Sequence, residues 1–217
     1  MITLASSLRI NCVYKKVDLF VSECAATELE VKNACDRVTS VSGTITDVVD
    51  YEKIKTLVIS ASPNLEYFPA GIETFFPNLE EITITQTSLK SLTANNLKNF
   101  TGLKKLVLSE NILESLNGKL FEFNKEIEEI DLSGNKITHI GDELFEFLPN
   151  LKEFDMGENQ CFNQTDKNLS MDLKLKIIKN CSNQIDFLKS SGLFFAFLLF
   201  AILFVFILYS CLKFVIQ

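Results

Sequence analysis

Apolar and polar residues alternate in short bursts that recur at a fixed interval. Four segments align without gaps: LEEITITQTSLKSL from Leu79, LKKLVLSENILESL from Leu103, IEEIDLSGNKITHI from Ile127 and LKEFDMGENQ from Leu151. Their starts are 24 residues apart, and a looser copy, IKTLVISASPNLEYFP, begins at Ile54 and runs 25. In each copy the fourth and sixth residues are apolar and most of their neighbours polar, the period of a short half-buried strand. One strand and its return segment cannot bury an apolar face alone, so about three or more such units must stack. Asn111, Asn135 and Asn159 are expected to turn inward as the chain leaves each strand, where a side-chain amide can pair with backbone groups. Phe121 with Phe145, and Phe123 with Phe147, share the 24-residue spacing and are expected to form a buried aromatic column on the return side.

The spacing L-x-x-L-x-L-x-x-N-x-L is carried by Leu103, Leu106, Leu108, Asn111, Leu113 and Leu116, and again by Ile127, Ile130, Leu132, Asn135, Ile137 and Ile140. In this the chain resembles the leucine-rich-repeat family, over roughly residues 54–160. Ser62 and Thr87 stand near the Asn position in the looser copies. The resemblance implies an α/β solenoid of five leucine-rich repeats with a curved parallel sheet. It also implies cysteine-containing caps at both ends and a concave strand face that meets partners.

The two flanks read as those caps. Upstream, residues 1–53 show alternation at Val17, Leu19 and Val21, so strands are expected. Cys12 and Cys24 could bridge a hairpin there, although the connectivity among Cys12, Cys24 and Cys35 is not fixed by sequence. Downstream, 161–190 forms a C-terminal cap and stalk. Cys161 and Cys181 bracket a helix-like stretch over about 168–179, and a bridge across that loop would contribute about 3 kcal/mol.

A different pattern follows. From Leu193 to Leu212 the chain reads LFFAFLLFAILFVFILYSCL, twenty residues without a charge. As a helix this spans roughly 30 Å, the thickness of a bilayer's hydrocarbon core. Residues 191–212 are therefore expected to form one transmembrane helix, which lipid requires to satisfy its own amides. The tail 213–217 leaves no room for a signalling domain if the repeats face outward.

Composition narrows the partners. With 28 Asp plus Glu against 21 Lys plus Arg, the chain lacks the clustered positive charge that phosphate binding needs, so nucleic acid is not expected. Four acceptor triplets for N-glycosylation begin at Asn99, Asn163, Asn168 and Asn180. Together with the cysteines they favour repeats on the cell exterior, at the plasma membrane. A tail-anchored cytosolic scaffold on an internal membrane is the alternative, since the N-terminus lacks the charged start and long apolar run of a secretory signal.

Chemistry is sparse. The only His is His139, read as a solvated residue leaving a strand. No glycine-rich phosphate loop, H-E-x-x-H or calcium-loop pattern occurs. No catalytic residue, metal or cofactor is expected. The exposed strand positions instead include Lys55, Glu80, Lys104, Glu128 and Lys152, alternating in sign from strand to strand, and Glu80, Lys104, Glu128 and Lys152 are expected to form a cross-strand ladder. The candidate ligand-binding residues are Lys104, Lys105, Glu128, Glu129, Asp131, Asp155 and Glu158, whose carboxylates suit a basic protein or peptide. The expected function is recognition of a protein or surface ligand, with the bilayer as second partner through residues 193–212. Self-association, or pairing with a signalling co-receptor, is a further reading.

Overall fold

A computed structural model describes residues 6–17, 20–43, 49–164 and 168–182, all within the compact unit Met1–Ser182. The apolar segment 193–212, and with it the expected membrane span, lies outside the described residues. Among the described residues no helix is long and apolar enough to cross a membrane.

The repeat strands form where the alternation placed them. They are β4 (Thr56–Ser62), β5 (Glu81–Thr87), β6 (Lys105–Val107), β8 (Glu129–Asp131) and β10 (Glu153–Asp155), while the two-residue strands β7 (Ser115–Leu116) and β9 (His139–Ile140) pair in a sheet of their own. Each pairs in parallel with the next, and the register aligns Leu57, Ile82, Leu106, Ile130 and Phe154 across the sheet. All five are at most 1% exposed. Ile59, Ile84, Leu108, Leu132 and Met156 make a second fully buried row, and Leu65, Leu89, Leu113 and Ile137 a third. One apolar spine therefore runs the length of the stack, which is how repeats that cannot fold alone become stable together.

The chain leaves each strand through the same bend. Ala61, Gln86, Glu110, Gly134 and Glu158 all have φ between 48° and 65°, the left-handed region that only glycine enters without steric cost. One of the five is glycine, and the others are held there by the stack. Glu110 N–H donates to Ser133 O at 2.9 Å, and Gly134 N–H to Gly157 O at 3.0 Å.

Immediately after each bend comes the inward polar residue. Asn135 Nδ2 donates to Leu108 O at 2.9 Å and Leu132 O at 3.0 Å, while its Oδ1 accepts from Leu113 N–H at 3.0 Å. Asn159 repeats this one turn later, with Leu132 O at 2.9 Å, Met156 O at 3.1 Å and Ile137 N–H at 2.9 Å. Asn111 Nδ2 donates to Ile84 O and Leu108 O, and its Oδ1 accepts from the Thr87 hydroxyl. Ser62 Oγ accepts from Leu29 N–H at 3.0 Å, continuing the ladder into the cap. Each side chain ties its own turn to a neighbour, so buried backbone groups that the short strands leave over are satisfied.

Both ends of the repeats carry further structure. The N-terminal strands are β1 (Ser7–Val17), β2 (Phe20–Thr27) and β3 (Arg37–Gly43). They extend one eight-stranded sheet in the order β10-β8-β6-β5-β4-β2-β1-β3. That sheet is parallel except for the β1–β2 hairpin, where Cys12 is bonded to Cys24. A hairpin can only be antiparallel, and β2 then offers its other edge in parallel to β4. The side chains of Val17, Leu19 and Val21, expected to alternate, lie outside those described. The loop before β3 is held by Asp36, 2% exposed, which accepts from Ser6 N–H, Lys32 N–H and Asn33 N–H at 3.0–3.2 Å. Burial pushes this carboxyl up, but the Ser6 and Asn33 donors outweigh it and hold it below its usual range. Cys35 is a free, exposed thiol.

At the other end, the helix (Met171–Cys181) begins three residues later than expected, because the Ser170 side chain caps it by accepting from Leu173 N–H. Leu173 and Ile177 are buried, and Cys181 is bonded to Cys161. His139, read from sequence as solvated, is half-buried in the short strand His139–Ile140, and its Nδ1 lies 3.0 Å from Cys181 O. It fastens the helix end to the repeats.

The aromatic column is also corrected. Phe121 is fully buried, Phe145 and Phe147 are half-buried, and Phe123 is 44% exposed. The inward positions on the return side are instead Phe76, Phe100, Asn124 and Leu148. These too are 24 apart, but one of them is polar, which hid the column. Asn124 Nδ2 donates to Leu97 O and Phe100 O.

Candidate functional site

The exposed face of the sheet carries three aligned rows. The first is Lys55, Glu80, Lys104, Glu128 and Lys152, one residue before the paired strand positions. Lys55 Nζ and Lys104 Nζ approach Glu80 at 3.2 and 2.7 Å, and Lys152 Nζ approaches Glu128 at 2.6 Å. The alternation of sign is therefore a formed ladder, and it occupies Lys104 and Glu128, two of the residues picked out as ligand-binding. The hydrogen bond from Lys104, then that from Lys55, hold the Glu80 carboxyl below its ordinary 4.5, and Glu80 in turn raises Lys104. Lys152 likewise lowers Glu128.

The sign of the consequence follows from linkage. A carboxylate whose folded pKa is depressed adds stability above its unfolded pKa and loses it as pH falls through the folded value. Acidification from pH 6 to pH 3 should therefore lower Tm, and lower it less in Glu80→Gln. Thermal melts across that range at low salt check this, because salt screens exposed pairs. Equal slopes for the two proteins would deny the ladder a part in acid sensitivity.

The second row is Thr56, Glu81, Lys105, Glu129 and Glu153, in register. Lys105 Nζ reaches Glu129 at 3.0 Å, and this bond raises the lysine despite its partial burial, with Glu81 and Glu153 adding to the field. Three carboxylates thus face one cation. The third row is Val58, Thr83, Val107, Asp131 and Asp155. Asp131 Oδ1 accepts from Ser133 N–H at 2.9 Å and Ser133 Oγ–H at 2.7 Å.

Asp155 is a correction. Its strand position matches that of Asp131, yet it is 6% exposed, with Oδ1 accepting from Gly157 N–H at 2.8 Å. It stands on the last strand, whose edge the returning chain meets where Asn168 bridges Glu153. Glu158 is exposed, but its backbone belongs to the left-handed bend and its N–H donates to Asn163 Oδ1 at 3.1 Å. The acidic surface therefore comprises Glu81, Glu129, Asp131 and Glu153. Two of these were absent from the residues picked out, since their alignment with Lys105 depends on register.

Of the glycosylation candidates, Asn99, Asn163, Asn168 and Asn180 are all exposed. Asn163 is engaged by Glu158, Asn168 bridges Glu153, and Asn180 lies within the C-terminal helix. Beside the first row, a shallow depression is lined by Lys55, Pro77, Leu79, Glu80, Gly102 and Lys104. No sequence signal marked it. Among the described residues no group of three or more His, Cys, Asp or Glu is placed to hold a metal ion.

Comparison with known proteins bears on the repeats. No curated protein matches the chain. Among solved structures, a chain of the Toll–Spatzle complex, described as a molecular hub in Drosophila development and innate immunity, is similar at 17% identity and a TM-score of 0.47. The likeness covers 71% of this chain and 20% of that one. This chain thus spans about a fifth of the matched protein's length. The family model described as "Leucine rich repeat" matches residues 77–137 and 125–185, together half of the sequence. The chain belongs to the leucine-rich-repeat family.

Proposed function

We propose that this is a recognition protein of the cell exterior, held to the membrane by residues 193–212, which binds a basic protein partner on the exposed face of its sheet. The supporting observation is the charge left on that face once its internal pairs are counted. The first row sets three lysines against two glutamates and pairs them all, whereas the second and third keep Glu81, Glu129, Asp131 and Glu153 around the single cation Lys105. Such a face raises the local concentration of a cationic partner and speeds its encounter. The two disulfides favour an oxidising compartment. The charge-free run 193–212 supports a single span. Contact rather than catalysis is the mode of action.

The test is Glu129→Lys with Asp131→Lys in the full chain. A membrane-impermeant cross-linker on intact cells should capture a partner with the native protein and at least tenfold less with the reversed one. Unchanged capture removes this face from the proposal. Alkaline extraction addresses the anchor separately: the full chain should stay with the membrane pellet, and deletion of 193–212 should release it.

A further inference from the structure

On the return side of the stack, Phe75, Asn99, Phe123 and Phe147 recur at 24-residue spacing. Adjacent turns touch directly here, since Asn124 Nδ2 reaches Phe100 O at 2.9 Å. The residues just before these two, Phe123 and Asn99, hold the same place on adjacent turns, and both are exposed. Phe75 and Phe147 are half-buried, whereas Phe123 is 44% exposed. The outer aromatic row is broken at one level, by Asn99, and Phe123 stands beside the break.

Asn99 opens the triplet Asn99-Phe100-Thr101. Asn99 and Thr101 are exposed and lie in turns after the short helix Ala94–Leu97, and a Cβ built at Gly102 meets nothing within 4 Å. The other triplets are less open. Asn163 accepts from Glu158 N–H, the Ser170 hydroxyl caps a helix, and Asn180 is helical beside the bonded Cys181.

We propose that Asn99 carries an N-linked glycan whose first sugar lies on the ring of Phe123. This rests on the exterior placement of the repeats. Asn99 Nδ2 forms a bond to the anomeric carbon of a lipid-pyrophosphate-linked oligosaccharide. The carbon–oxygen bond breaks, the lipid pyrophosphate leaves with the electron pair, and the amide gives up one proton. The C–H face of the sugar then covers the negative face of the phenyl ring, filling the place that a phenylalanine at position 99 would take.

The full chain expressed in a secretory eukaryotic cell supplies the test, with glycopeptide mass spectrometry over the four triplets. Asn99 is expected to be occupied. Asn99→Gln should lower Tm by about 2–4 °C, and Thr101→Ala, which removes the acceptor triplet and keeps the asparagine, should reproduce that shift. In a Phe123→Ala background both shifts should shrink by more than half, the mark of coupled neighbours. A bare Asn99 beside any occupied triplet overturns this inference alone, as do shifts of equal size in both backgrounds. Four bare triplets overturn the exterior placement and this inference with it.

Discussion

Phe154→Ala should destabilise the protein by about 3–5 kcal/mol. Phe154 is fully buried in the last repeat strand, and its ring meets Phe145 edge-on with centroids 5.0 Å apart. Truncation removes the largest apolar side chain from the end of the spine, where only the C-terminal cap lies beyond to close the gap. Phe154→Leu, which keeps most of the volume, should cost about 1.5 kcal/mol or less. Because each repeat contacts only its neighbours, the loss should be local at first. Hydrogen exchange should accelerate in residues 151–182 before β4 and β5 respond. A urea melt showing less than about 1 kcal/mol of loss would mean that the last repeat is not packed on the spine.

The second large effect belongs to a polar residue. Asn135→Ala is expected to cost about 3 kcal/mol, because Leu113 N–H loses its partner in the interior while Leu108 O and Leu132 O are left with the amides of Asn111 and Asn159 alone. The side chain is 6% exposed, so water does not readily replace it. Thr87→Ala makes the comparison, since the threonine offers only one donor and accepts from Leu89 N–H. Its loss should cost about 1–2 kcal/mol. Denaturant melts that rank the two the other way would show that the ladder is ornamental and that the apolar spine alone sets stability.

These effects also mark the two kinds of information in the chain. The spine and the ladder were legible because both are periodic. Ile82, Ile130 and Phe154 alternate with polar neighbours locally, and the 24-residue repeat copies that local choice from turn to turn. Asn111, Asn135 and Asn159 stood out for the same reason. A wrong strand assignment at one repeat would have broken the register of all.

The failures fall where the period stops or where an inward position is polar. Asp155 repeats Asp131 in sequence, and stacking alone would expose it equally. No sixth repeat follows, so the returning chain at Asn168 meets that edge instead. Phe123 and Phe147 share the 24-residue spacing on the return side and so read as core, yet the inward place one residue later is taken by Asn124 and Leu148. Nothing in an asparagine's identity announces that its amide will close two backbone carbonyls on the neighbouring turn.

By itself the sequence determined the repeat, the strands, the buried rows and the inward amides, since each follows from side-chain period and the need to cover apolar surface. Tertiary structure alone decided which charges cancel and which remain. Lys105 meets Glu129, and Glu80 is shared by two lysines, because parallel register sets residues far apart in the chain at bonding distance. It also decided that the N-terminal hairpin continues the sheet and that His139 fastens the closing helix. Contacts between unlike segments carry no period to read, and only the folded chain brings them together.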